Sequence, residues 1–202
     1  MKTIIVFAAG TLLAAGTGAA MAQNGEDAPA LATGVCAACH GPQGRSVSPV
    51  FPHLAGQQSA YLTLQLDAFR GHLRGDPLAQ AYMWGMASQL SDDAIKSLSD
   101  YYAAQKPLPG EPGDSALMAE GQKIYVQGIP AKNVQACATC HGPKAEGAAA
   151  FPRLGGQHVE YLIAQLQGFR SGTRANAPIM QAVAHSMTPE ELKAVATYAA
   201  SR

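Results

Sequence analysis

The chain has 202 residues, 48% of them hydrophobic, and its 14 lysines and arginines balance its 14 aspartates and glutamates. That length allows one or two small domains. A neutral chain without a basic stripe is not a nucleic-acid binder, and this apolar content is not that of a disordered chain.

Met1-Lys2-Thr3 precede an apolar run from Ile4 to Ala15 and a small-residue stretch ending Ala20-Met21-Ala22. A charged start, a short apolar core and an A-x-A signal predict a cleavable signal peptide over 1–22; the run is too short to span a membrane. Cleavage after Ala22 leaves 180 residues from Gln23, expected to be soluble and outside the cytoplasm. Only four cysteines are present, at 36, 39, 137 and 140.

The chain is two copies of one unit. Cys36-Ala-Ala-Cys39-His40 recurs as Cys137-Ala-Thr-Cys140-His141, each followed by Gly-Pro. Downstream, Phe51-Pro52, Leu54, Gly56-Gln57, Tyr61-Leu62, Gln65-Leu66, Phe69-Arg70 and Arg74 all recur 100 residues later. Gln105 to Gly113, with three prolines and two glycines, continues neither helix nor strand and is expected to be the linker. The units are then 23–104 and 114–202, each small enough that an apolar core alone is marginal without a metal or bulky cofactor.

The pattern along each unit is helical, and an all-α fold with long loops is predicted. Pro29 is expected to interrupt the opening helix of the first unit. Tyr61, Leu62, Leu64, Gln65, Leu66 and Phe69 form a stripe at helical spacing, as do Tyr161, Leu162, Ala164, Leu166 and Phe169. Ser91 before Asp92-Asp93 starts a closing helix in the first unit. In the second, Asp114 or Ser115 caps a helix that Gly128 stops near Gln127, and Thr188-Pro189-Glu190-Glu191 offers a capping box.

Cys-x-x-Cys-His suits three chemistries. The two thiols can add to the vinyl groups of a haem while the adjacent histidine binds the iron. The pairs can make a zinc site, though they stand about 100 residues apart instead of the usual 15 to 20. Each can be a redox dithiol, which calls for a βαβ context absent here. The histidine after the second cysteine, twice over, selects two c-type haems, with Cys36, Cys39, Cys137 and Cys140 as covalent anchors and His40 and His141 as proximal ligands.

A distal ligand common to both units should occupy matching positions. The remaining histidines do not: His53 matches Arg153, His158 matches Gln58, His72 matches Gly172 and His185 matches Ser88, so they read as surface or hydrogen-bonding groups. Met83 and Met180 do match ahead of the last helix and are the favoured iron ligands, with Met86 and Met187 as packing residues held in reserve. The His-to-Met separations of 43 and 39 residues differ by four, and the deletions are assigned to loops. A backbone carbonyl near Pro49, and one within Ala149 to Pro152, are expected to orient the proximal histidines. Arg70, Arg74, Arg170 and Arg174 either meet haem propionates or are solvated charges at helix ends.

The chain resembles the dihaem class I cytochromes c of the cytochrome c4 family. The resemblance rests on Val35-Cys-Ala-Ala-Cys-His-Gly, Phe51-Pro-His-Leu-Ala-Gly-Gln, Phe151-Pro-Arg-Leu-Gly-Gly-Gln-His and the Met83-Trp-Gly-Met and Ile179-Met180 segments. It implies two tandem cytochrome c domains packed face to face, both haems His/Met ligated, in a periplasmic electron carrier that is no enzyme and has no small-molecule substrate. Its implied partners are a quinol-oxidising complex and a terminal oxidase or reductase, sometimes with loose membrane association. Trp84 is a bulky departure from the pattern. The alternatives are a dihaem peroxidase with one open iron, or a cytochrome subunit of a larger dehydrogenase. The first unit carries 5 basic and 7 acidic residues up to Leu108 and the second 8 and 7, so partners could be steered differently to the two ends.

Overall fold

The computed structural model describes residues 28–202; the signal peptide expected at 1–22 lies outside them. In the first unit, α1 (Ala28–Leu31) and α2 (Ala37–His40) are joined without a break by a π-helical segment, Ala32–Cys36. Pro29 is the second residue of α1, and the residues before Ala28 lie outside those described. The carbonyl oxygen of Pro29 accepts the Thr33 hydroxyl at 2.7 Å. The irregularity of this helix is the π segment leading into Cys36.

α3 spans Ser59–Arg70 and buries Leu62, Ala68 and Phe69. Leu64 was expected on its apolar stripe but is 52% exposed, and Ala164, its counterpart, is exposed as well. Residues 77–87 are helical again, through a second π segment at Ala79–Met83 and α4 (Trp84–Ala87). α5 (Asp92–Ala103) starts at Ser91, whose side chain accepts from the Ala94 amide, and buries Ile95, Leu98, Ser99 and Tyr102 at helical spacing.

The second unit repeats the order. α6 (Ser115–Gln127) is capped by Asp114 and ends at Gly128, with φ at 70°. α7 (Ala138–His141), α8 (Val159–Ser171), α9 (Pro178–His185) and α10 (Pro189–Ala200) follow, and the Thr188–Glu191 capping box at the start of α10 is fully formed. α6 crosses α10 closely: a Cβ on Gly121 would meet the Ala194 carbonyl. The described residues contain two isolated β-bridges and no strand.

The units meet through two reciprocal glutamines. Gln57 accepts from the Arg153 amide (2.7 Å) and donates to the Arg153 carbonyl (3.0 Å), while Gln157 makes the same pair with His53 at 2.9 and 3.0 Å. Each side-chain amide thus behaves as an inserted peptide group, satisfying buried backbone that water would otherwise have to reach. The His53 and His158 rings stack beside them, centroids 4.0 Å apart. The apolar clusters are small for the chain: one around Ile124, Tyr125, Leu192 and Tyr198, others around Leu62, Leu98 and Tyr102 and around Phe69, Ala79 and Ala87. The remaining interior is a cavity of about 1180 Å³ lined by both units.

Candidate functional site

Each Cys-x-x-Cys-His motif ends on a helical turn, which brings both cysteines and the histidine toward one side. The helix then stops at a glycine in the left-handed region, Gly41 (φ 71°) or Gly142 (φ 79°). A Cβ on Gly41 would strike the Arg45 carbonyl, so the turn after the histidine requires glycine. No disulfide joins the four cysteines. Burial pushes Cys137 up to about 11 and raises Cys36, the opposite of the lowered value a reactive redox dithiol needs. Among the described residues no group of three or more Cys, His, Asp or Glu side chains is gathered as a metal-ion cluster.

His40 and His141 are each 7% exposed and oriented alike. Nδ1 of His40 is 2.9 Å from the Pro52 carbonyl oxygen, and Nδ1 of His141 is 3.0 Å from that of Pro152. A carbonyl only accepts, so Nδ1 carries the proton and Nε2 keeps a lone pair. Burial lowers both imidazoles below the ordinary histidine range, favouring the neutral form that binds iron. The carbonyl in the first unit comes from Pro52, not from the neighbourhood of Pro49, because Phe51-Pro52 matches Phe151-Pro152. The two phenylalanines stand edge-on to the histidines, at 6.0 and 6.4 Å between centroids.

Cys36, Cys39, His40, Met83, Cys137, Cys140, His141 and Met180 all line the one cavity. Met86 and Met187 border it too, but they differ. Met187 is 2% exposed in the core of the second unit, whereas Met86, expected to pack, is 58% exposed. The extra length between His40 and Met83 does not all lie in loops. The helix bearing Met83 starts at Pro77, six residues before it, while α9 starts two residues before Met180. Met83 therefore stands a turn deeper in its helix, at the end of a π segment that accommodates an extra residue.

The arginines divide. Arg70 pairs with Asp67 and Asp92 and Arg170 is exposed, and neither reaches the cavity. Arg74 and Arg174 are each 4% exposed, lie over Phe69 and Phe169, and line it. They cross between units. Arg74 donates to Gln165 (2.6 Å), and Arg174 donates to Tyr61 and Gln65, both at 3.0 Å. Asp76 faces Arg74 at 2.7 Å, but the counterpart of Asp76 is Asn176, 3.5 Å from Arg174. Burial pulls the Tyr61 phenol up, yet Arg174 and Arg74 outweigh it and hold it below the ordinary tyrosine range.

Of the two buried guanidiniums at the cavity wall, Arg74 pairs with the Asp76 carboxylate and Arg174 meets the neutral Asn176 in its place, and buried charge requires a counter-charge. An apolar ring with two propionates would supply it. Two thiols and one imidazole per unit form a donor set that fits haem c, and Arg74 and Arg174, on the wall of the same cavity, would be the groups to meet its propionates. Gln57, Tyr61, Gln65 and their counterparts were visible as repeat identities, and that identity at polar positions was the signal of a shared interface. Asp76 had no such signal.

A family model described as Cytochrome c matches residues 25–104 and 118–201. The cytochrome c4 of Thiocapsa roseopersicina is 40% identical over 174 residues, covering 84% of this chain and 88% of the relative. A thiosulfate dehydrogenase electron acceptor of Stutzerimonas stutzeri strain A1501 is 36% identical over 186 residues, covering 89% and 82%. Among solved structures, the cytochrome c4 of Acidithiobacillus ferrooxidans superimposes with a TM-score of 0.78 at 39% identity, over 83% of this chain and 98% of that one.

Proposed function

This chain belongs to the cytochrome c family, as a dihaem electron-transfer cytochrome of the cytochrome c4 kind with two covalently bound c-type haems, and we propose that it relays electrons between larger redox complexes in the periplasm. Bound haem supplies a one-electron iron couple. Cys36 and Cys39, and Cys137 and Cys140, hold the rings as thioethers. His40 and His141 take the proximal side through Nε2, with the ring angle fixed by Pro52 and Pro152. Met83 and Met180, on the wall of the same cavity, would hold the distal side of a bound haem, a pairing that would raise its potential and close it to substrate.

The observation that carries this reading is the matched pair of donor sets on one cavity. A peroxidase needs one unit to differ at the iron, and both units present the same Cys, Cys, His and Met. The donor is a quinol-oxidising complex or a dehydrogenase, and the acceptor a terminal oxidase or reductase, with loose membrane association. The relatives known as thiosulfate dehydrogenase electron acceptors favour a dehydrogenase among the donors. Among the described residues no helix is long and apolar enough to cross a membrane.

Stopped-flow reduction of the oxidised holoprotein tests the proposal. Quinol with its oxidising complex, and thiosulfate with its dehydrogenase, are the two donor arms. Reduction of both haems by at least one of them, with rapid reoxidation by terminal-oxidase membranes, is expected. Peroxide turnover by the reduced protein would place it among the enzymes instead.

A further inference from the structure

Trp84 follows Met83 directly, and its indole N–H donates to the Arg74 carbonyl at 2.8 Å. The His72 ring lies flat on the indole, centroids 4.2 Å apart and planes 13° from parallel. His72 holds φ at 56°, a left-handed conformation uncommon outside glycine. The equivalent residue of the second unit, Gly172, has φ at 80°, and a Cβ placed on it would stand 3.8 Å from Nε2 of Gln181, the equivalent of Trp84. The same two positions touch in both units. The first unit fills them with a strained histidine and a tryptophan, the second with glycine and glutamine.

The Met83 segment needs such a brace more than the Met180 segment. Met83 ends a π segment a turn deep in its helix, whereas Met180 sits in the first turn of a regular helix. Methionine is itself unbranched and adaptable. Trp84 ties this turn to Arg74, whose side chain is fixed in the inter-unit network. Met83 and Trp84 also pack together on Phe69, Ala79 and Ala87.

We propose that Trp84, backed by His72, is a positioning residue that holds the Met83 turn against the first haem, so that its distal bond resists displacement more than that of the second. The proposal rests on Met83 being the distal ligand. Strain at His72 persists because the stack over-determines it.

The test uses full-length holoprotein and the variants Trp84→Gln, Trp84→Phe and His72→Gly. In the reduced protein, each bound methionine gives its own upfield-shifted methyl resonance, assigned with Met83→Leu and Met180→Leu. Imidazole is then titrated into the oxidised protein, and displacement is read at each haem. Trp84→Gln is expected to raise imidazole affinity at the first haem on the order of tenfold, with the second unchanged as internal control. Trp84→Phe, which keeps the stack and loses the N–H, should fall between, and so should His72→Gly, an exposed change that spares the core. Equal imidazole affinities before and after substitution, or a lowered melting temperature without a haem-selective effect, would reduce Trp84 to a packing role and overturn the proposal. A wild-type protein without the Met83 resonance overturns the ligation reading itself, and is recognised before any tryptophan variant is made.

Discussion

Replacing Gln57 with alanine removes one side of the reciprocal lock between units. The side chain, 7% exposed, accepts from the Arg153 and Gln58 amides at 2.7 and 3.0 Å and donates to the Arg153 carbonyl at 3.0 Å. Alanine reaches none of these groups. At about 1 kcal/mol net for each of three bonds, the loss is about 3 kcal/mol, less whatever water entering the half-buried seam restores. With an m-value of about 2 kcal/mol/M, the urea midpoint of the holoprotein should fall by about 1.5 M. Gln157→Ala should match it, because its bonds to His53 and His158 are the same three. The double variant should unfold in two separated steps, one per unit, followed in the haem bands. A midpoint shift under about 0.2 M for the single variant would refute the reasoning, since no groups would then be stranded.

Asp76→Asn removes the carboxylate paired with the buried Arg74; a loss of about 1–3 kcal/mol in denaturant unfolding is expected, together with a rise in at least one haem midpoint in spectroelectrochemistry, because a negative charge favouring the oxidised form is gone. Met83→Leu and Met180→Leu should each abolish half of the weak far-red methionine-to-iron absorption and lower the potential of one haem, which a redox titration reads directly. Burial, His158 and Arg45 depress His53 from the ordinary 6.5 to about 4. The folded state therefore prefers the neutral ring, so the stability it contributes is complete above about pH 6.5 and is lost as pH falls toward 4. His53→Gln should flatten that limb of the stability profile, measured by melting temperature between pH 4 and 7.

What the sequence made legible was local. Ser91, Asp114 and the Thr188–Glu191 box begin helices because a side-chain oxygen three residues or fewer from an unpaired amide decides the matter without the rest of the fold. The repeat likewise exposed the two equivalent units. What escaped depended on the other unit or on helix register. Arg74 and Arg174 read equally as propionate partners or as solvated helix-end charges, and the facing glutamines and tyrosines that bury them come from the other unit. Leu64 kept an apolar spacing and Met86 was expected to pack, yet both are exposed, and the opening helix of the first unit carries a π segment. No periodicity rule separates a π turn from an α turn, because both keep the chain helical while shifting one residue. The His53–His158 stack was invisible for the same reason as the arginines: the partners are 105 residues apart and occupy unmatched positions of the repeat.

The central claim is that two equivalent irons are each closed by a histidine and a methionine. Carbon monoxide added to the fully reduced holoprotein, with haem quantified per chain, tests it most directly. Two haems per chain and an unchanged visible spectrum under carbon monoxide are predicted. A spectrum in which one of the two irons takes up carbon monoxide would contradict the account and point to a chain with one open, reactive site.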